Sequence, residues 1–114
     1  MSILSIIKII MALGTVATGF LSLIKPASTT GFTGLAPNGP RGISEIRAVL
    51  GGLFIAVGLA PFILHSAAAY IMLGIMYLGI AIVRAFSIVF DKSTEQSNFI
   101  SLAAEILFGV VLVL

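Results

Sequence analysis

Besides Lys8 near the start of the first, four charged side chains lie inside the apolar stretches of this chain: Glu45, Arg47, Arg84 and Glu105. Two acids and two bases can neutralise one another, anchor a polar substrate or pass a proton. Arg84 and Glu105 are the natural pair, because a guanidinium forks two hydrogen bonds onto one carboxylate. Glu45 and Arg47 stand two positions apart, so they point to different faces of a helix and cannot share a partner. Glu45 is expected to join the Arg84 pair, and Arg47 to sit nearer the helix end. Tyr77, seven residues before Arg84 on the same helix face, offers a hydroxyl further along. Asn98 and Ser101 are candidates for supporting hydrogen bonds.

Little else in the chain has catalytic character. There is one histidine and no cysteine. Metal sites draw several ligands together, and His65 has no such company, so it reads as a polar turn residue; axial ligation of a haem or chlorophyll-type pigment is the remote alternative. A glycine-rich phosphate loop, a nucleophile elbow and a Ser-His-Asp set are all missing. No cofactor, no metal and no enzymatic activity are expected. The net charge of +2 is spread over scattered cations, with no patch for nucleic acid.

The elements that must position these charges follow from composition. Of 114 residues 60% are hydrophobic and 9% charged, against about 25% charged in an ordinary soluble domain. Such a chain would aggregate in water, whereas a bilayer accepts it. The fold class expected is all-α, an integral membrane four-helix bundle, with residues 1–114 as one transmembrane domain. Its helices are expected at about 3–24, 43–64, 67–90 and 94–114. The first is longer than the ~7–15 residue core of a signal peptide and is taken as a retained helix; at ~1.5 Å per residue it spans ~33 Å, enough for a ~30 Å hydrocarbon core. Lys25-Pro26 ends it. Pro26 to Gly42 reads as a flexible connector from which Phe32 and Leu35 dip toward the headgroups. Pro61 is placed to kink the end of the second helix. His65-Ser66 is a tight turn that predicts an antiparallel hairpin. Ser93 with Gln96 reads as a capping box for the fourth helix.

Each buried charge costs about 2.5–3.5 kcal/mol at the centre of a lone helix. Arg84 lies six residues before Phe90 and Glu105 six residues after Phe99, each ~9 Å inside the same membrane face. Arg47 lies ~6 Å inside that face, and Glu45 is close by. All four charges therefore occupy one half of the bilayer and can cancel. A structural clasp and a site for a polar substrate or proton both fit this pattern.

Small residues mark the packing faces. Ala48, Gly52 and Ala56 recur every four positions on the second helix, and Gly109 shares a face with Glu105 on the fourth. Such rows let helices approach closely in lipid, within this chain or against another. A faint duplication is also legible: Leu13-Gly14 and Gly19 recur as Leu73-Gly74 and Gly79, and Ile43-Ser44 and Gly52 as Ile100-Ser101 and Gly109. Lys25, Arg41 and Lys92 flank the loops at 25–42 and 91–96, which the positive-inside rule places in the cytoplasm; Lys8 and His65 mark the opposite side.

The stretches Arg41-Gly42-Ile43-Ser44-Glu45-Ile46-Arg47-Ala48-Val49-Leu50-Gly51-Gly52 and Arg84-Ala85-Phe86-Ser87-Ile88-Val89-Phe90-Asp91-Lys92, with Glu95-Gln96-Ser97-Asn98, resemble a family of small four-helix bacterial membrane proteins known only as a domain of unknown function and distantly similar to DoxX-like proteins. The resemblance runs from about Arg41 to Leu114, with the first helix matching in character only. It implies a bacterial inner-membrane address and a four-helix bundle, and it carries no catalytic role. Three functions are then open. The first is a non-enzymatic protein acting through helix packing, as a homo-oligomer or an accessory subunit of a larger membrane complex. The second is a carrier or binding protein for a small or lipophilic molecule anchored by the Glu/Arg cluster. An intramembrane enzyme is third. The partners expected are membrane lipids and other membrane subunits or copies of the chain.

Overall fold

The computed structural model describes residues 1–114 and contains no strand. Its first helix, α1, runs Ile3–Ile24 and is capped by Ser2, whose hydroxyl accepts the Ser5 backbone N–H at 3.1 Å. That bond satisfies one of the donors a helix start leaves unpaired. The second, α2, spans Gly39–Leu64; α3 is Ala67–Phe90 and α4 is Gln96–Val113. Each is long and apolar enough to cross a membrane.

The boundaries differ from the sequence reading where proline and serine were misjudged. α2 begins four residues early, because Pro40 occupies its first turn, where a missing N–H costs nothing. It then continues through Pro61 to Leu64 and stops at His65, which holds a left-handed backbone at φ 48°. α4 begins later than expected, with Glu95 as its cap residue and no side-chain cap bond. The Ser93–Gln96 capping box does not form: the Ser93 hydroxyl donates to Glu95 at 2.9 Å instead. The segment after α1 is also more ordered than a flexible connector. A 3₁₀ turn, Pro26–Thr29, leads into a single helical turn, Thr30–Thr33, closed by Gly34 at φ 74°. Hydroxyls of Ser28, Thr29 and Thr33 donate to carbonyls three or four residues back, so the turn's polar groups bond within it. Phe32 and Leu35 stay exposed.

The helices pair as α1 with α2 and α3 with α4, each along most of its length. α2 and α3 are joined by the tight turn yet touch far less. The bundle is accordingly flat, 43 × 30 × 17 Å, with two hairpins side by side. Glycines set both seams. A methyl group on Gly19 of α1 would lie 2.8 Å from the Gly51 carbonyl oxygen of α2, and one on Gly74 of α3 would lie 2.9 Å from that of Gly109 on α4. Neither seam admits a side chain, so the backbones meet directly.

The chosen face of α2 is not the one the small-residue row indicated. Ala48, Gly52 and Ala56 are exposed, and a methyl at Gly52 would meet nothing closer than 3.9 Å. Gly51 and Gly58 face α1 instead, about 100° round the helix from Gly52. In this region, Ile46–Leu53, the helix widens to π spacing. The glycines matched by the proposed duplication differ in packing: Gly14 and Gly79 face open space while their counterparts Gly74 and Gly19 are tight contacts.

A small core joins the hairpins, formed by Met11 and Ala12 of α1, Leu73 and Tyr77 of α3, and Leu112 of α4. Only 19 of 114 residues are buried, so most apolar side chains face outward. Val83, Phe86 and Val89 on α3 are among them. A bilayer supplies the apolar surroundings that water would not.

Candidate functional site

α3 and α4 run antiparallel, and that geometry brings Arg84 beside Glu105. The guanidinium Nε donates to Oε1 and Nη2 to Oε2, both at 2.7 Å. This is the planar two-bond fork, stronger and more directional than a single contact. The third terminus, Nη1, donates to Asn98 Oδ1 at 2.8 Å. Asn98 in turn donates from Nδ2 to both the backbone oxygen and the hydroxyl of Ser93, each at 3.0 Å. One chain of bonds thus runs from Glu105 within α4 through Arg84 to the loop between α3 and α4.

Burial matches the bonding. The Glu105 side chain is 11% exposed and the Arg84 side chain 29%. No fully buried side-chain nitrogen or oxygen in the protein lacks a partner. A carboxylate this enclosed must be paired to stay charged, since desolvation of an isolated ion costs several kcal/mol. Its partner comes from the neighbouring helix, so the pair also fixes the register of α3 against α4. Arg84 retains spare capacity: a guanidinium has five N–H donors, and three are committed here.

Glu45 does not join this cluster. It pairs with Arg41, one turn earlier on α2, at the exposed membrane edge, with side-chain exposures of 54% and 80%. The early start of α2 explains the correction, because Arg41 lies within the helix and stands four residues from Glu45, the spacing at which side chains meet. Arg47 makes no ion pair, and it lines a separate cavity of about 650 Å³ with Leu23, Pro40 and Ser44. The two acids and two bases share one half of the bundle without meeting at one point. Tyr77 lies deeper. Thr15 donates to the Met11 carbonyl oxygen at 2.9 Å, so the 2.5 Å contact between its oxygen and the Tyr77 hydroxyl has Tyr77 as donor. Phe108 packs edge-on against the same ring, with centroids 5.3 Å apart. Ser101 is half-buried and makes no side-chain hydrogen bond. The sequence does not single out Thr15, and it points to Ser93 as a helix cap and Arg41 as a loop cation rather than as the partners of Asn98 and Glu45. Ser93 and Arg41 lay in segments read as loop, and a lone Thr within an apolar helix gives no signal.

A cavity of about 590 Å³ opens beside the pair. Arg84, Ser87, Ser93 and Asn98 line its polar side, Ile80 and Val83 its apolar side, and Thr33 from the loop after α1 reaches its rim. No group of three or more His, Cys, Asp or Glu side chains that could hold a metal ion is present.

The fold and this site define a class: a helical membrane protein of four apolar spans, with one paired charge cluster set between the last two. Within that class, residues 3–114 match a family described as a domain of unknown function (DUF4345), and the chain belongs to it. The match includes α1, where the resemblance is one of character only. No curated protein matches, and no solved structure matches.

Proposed function

We propose that this is a non-enzymatic multi-pass protein of the bacterial inner membrane that works through helix packing, as a homo-oligomer or as an accessory subunit of a larger membrane complex. The observation that carries this reading is the outward row Ala48, Gly52 and Ala56 on α2, small residues that are all exposed, with no other helix near Gly52. In lipid, where apolar surface alone gives no drive to associate, such a row is what allows two backbones to close. The charge cluster fits the same role. Arg84 and Glu105 are committed to each other, and a residue so engaged holds helices rather than attacks a substrate. The loops flanked by Lys25, Arg41 and Lys92 lie in the cytoplasm, following the positive-inside rule.

Native mass measurement after gentle detergent extraction tests it. The expected species is a dimer or a complex with a second membrane protein, reduced to the single chain by Gly52→Leu. A wild-type chain that leaves the membrane alone, with Gly52→Leu behaving identically, removes the packing role.

One observation favours a second reading, a carrier or binding protein for a lipophilic molecule. The cavity beside Arg84 has a polar wall and an apolar wall, and Arg84 has two N–H donors to spare. A monomer that retains a co-purifying lipophile, lost on Asn98→Leu and Ser87→Leu, would decide for the carrier.

A further inference from the structure

The opposite end of the bundle holds a second polar cavity, of about 540 Å³, where α1 starts and the α2–α3 turn closes. Lys8, His65 and Tyr70 line it together with the hydroxyl residues Ser5 and Ser66. Two of those hydroxyls have local duties: Ser5 contacts the Ser2 hydroxyl at 2.9 Å and Ser66 accepts the Ala68 N–H at 3.2 Å. Lys8, His65 and Tyr70 make no side-chain hydrogen bond or ion pair with the protein, whose two ion pairs are both at the other end. Tyr70 is held in place by Phe62, edge-on at 6.4 Å, which lines the same cavity.

The charge distribution makes this cavity unusual. The chain has four acidic side chains, Glu45, Asp91, Glu95 and Glu105, and all of them lie in the half that contains the Arg84 cluster. The C-terminal carboxylate ends α4 on the Lys8 side but does not line the cavity. Lys8 therefore faces a polar cavity with no side-chain counter-charge. It stands five residues into α1, ~8 Å from the helix start, a depth from which a lysine stem runs along apolar surface and its ammonium reaches the headgroup level. His65 adds a second nitrogen donor or acceptor from a strained, left-handed turn position. Met1, Ile9, Pro61, Phe62 and Ala67 complete the wall.

We propose that this cavity binds a phosphate oxyanion, with Lys8 as its counter-charge and Tyr70 and His65 as hydrogen-bond partners. Two sources share that chemistry, the headgroup of an anionic phospholipid and free phosphate. The apolar wall beside the polar one suits a headgroup whose acyl chains run down the bundle.

The test is retention of added lipid by the full chain in detergent, read by native mass measurement, with phosphatidylglycerol, phosphatidylcholine and inorganic phosphate as probes. Phosphatidylglycerol is expected to bind more tightly than phosphatidylcholine, and Lys8→Gln to weaken it by about tenfold, the loss of one charge-assisted bond. Tyr70→Phe should weaken it less, and Lys8→Arg should retain it. His65→Asn is a useful partner variant, since asparagine tolerates the left-handed backbone and should weaken binding without loss of folding. Lys92→Gln, at the other membrane face, should change nothing. Inorganic phosphate that binds at millimolar concentration and displaces the lipid would assign the site to the free anion; phosphate without effect would assign it to the headgroup. Equal retention of phosphatidylglycerol by wild type and by Lys8→Gln, or equal retention of both lipids with no phosphate binding, would overturn the proposal. Should Lys8→Gln fail to fold, Tyr70→Phe and His65→Asn carry the test, and unchanged retention in both overturns it equally.

Discussion

The two hairpins of this protein solve the same packing problem differently. In α1–α2 the backbones close over Gly19, Gly51 and Gly58, and the one ion pair, Arg41 with Glu45, is exposed at the start of α2. In α3–α4 the backbones close over Gly74 and Gly109, and an arginine and a glutamate are drawn inside and locked together. Close approach alone is enough to join helices in lipid. The ion pair adds what a glycine seam lacks. A forked contact between two side chains is satisfied at one offset only, so it selects one register of α3 on α4 and ties the intervening loop to it through Asn98.

The sharpest way to break this contrast is to remove one charge. Arg84→Ala or Glu105→Ala leaves its partner enclosed and unpaired, with an expected cost of about 3–5 kcal/mol, read by denaturant unfolding in micelles. Arg84→Leu combined with Glu105→Leu should recover most of that loss, because an apolar pair of similar volume replaces an ion pair at little cost. If the double variant folds but the protein's activity disappears, the cluster has a functional as well as a structural role. The glycine seams come next. Gly19→Leu and Gly74→Leu should each cost about 1–3 kcal/mol through overpacking, whereas Gly52→Leu should leave the stability of the isolated chain nearly unchanged; a large loss in the monomer at Gly52 would contradict its outward placement. Asn98→Ala should cost about 1 kcal/mol and loosen the loop at 91–95, detectable as faster amide hydrogen exchange there.

The smallest effect concerns acid. The Glu95 carboxyl is held below the usual carboxylate range by its own backbone N–H and then by the Ser93 hydroxyl. A lowered folded-state pKa means that the carboxylate form supports the fold at neutral pH. That contribution is present above the carboxyl's unfolded-state pKa and is lost as the pH falls through the folded pKa. Because Glu95 is fully exposed, the change should be confined to loop exchange rates, and Glu95→Gln should abolish the pH dependence. Orientation offers a separate check: with no native cysteine, Ser28→Cys should resist a membrane-impermeant thiol reagent in intact cells if its loop is cytoplasmic.

Much of the architecture was legible because hydrophobicity is a property of composition. Four apolar runs separated by Pro, Gly and charged residues leave few alternatives to four spans, since lipid demands that each backbone bond to itself. Arg84 and Glu105 were legible as a pair because their depths, counted from the helix ends, agree. Glu45 was misplaced for a local reason: reading Pro40 as loop removed Arg41 from the helix and hid the i,i+4 partner. Asn98 was recognised as a support, but its link to Ser93 depends on how the loop folds back.

Composition and spacing by themselves gave four helices long and apolar enough to cross a membrane and the half of the bundle that holds the acids. Tertiary structure alone decided which face of each helix turns inward. α2 carries two glycine-bearing stripes a quarter-turn apart, both adequate for close approach, and the choice of Gly51 and Gly58 over Ala48, Gly52 and Ala56 depends on where Val16, Gly19 and Leu23 of α1 stand. Helical periodicity records which residues share a face; it does not record which face finds a partner.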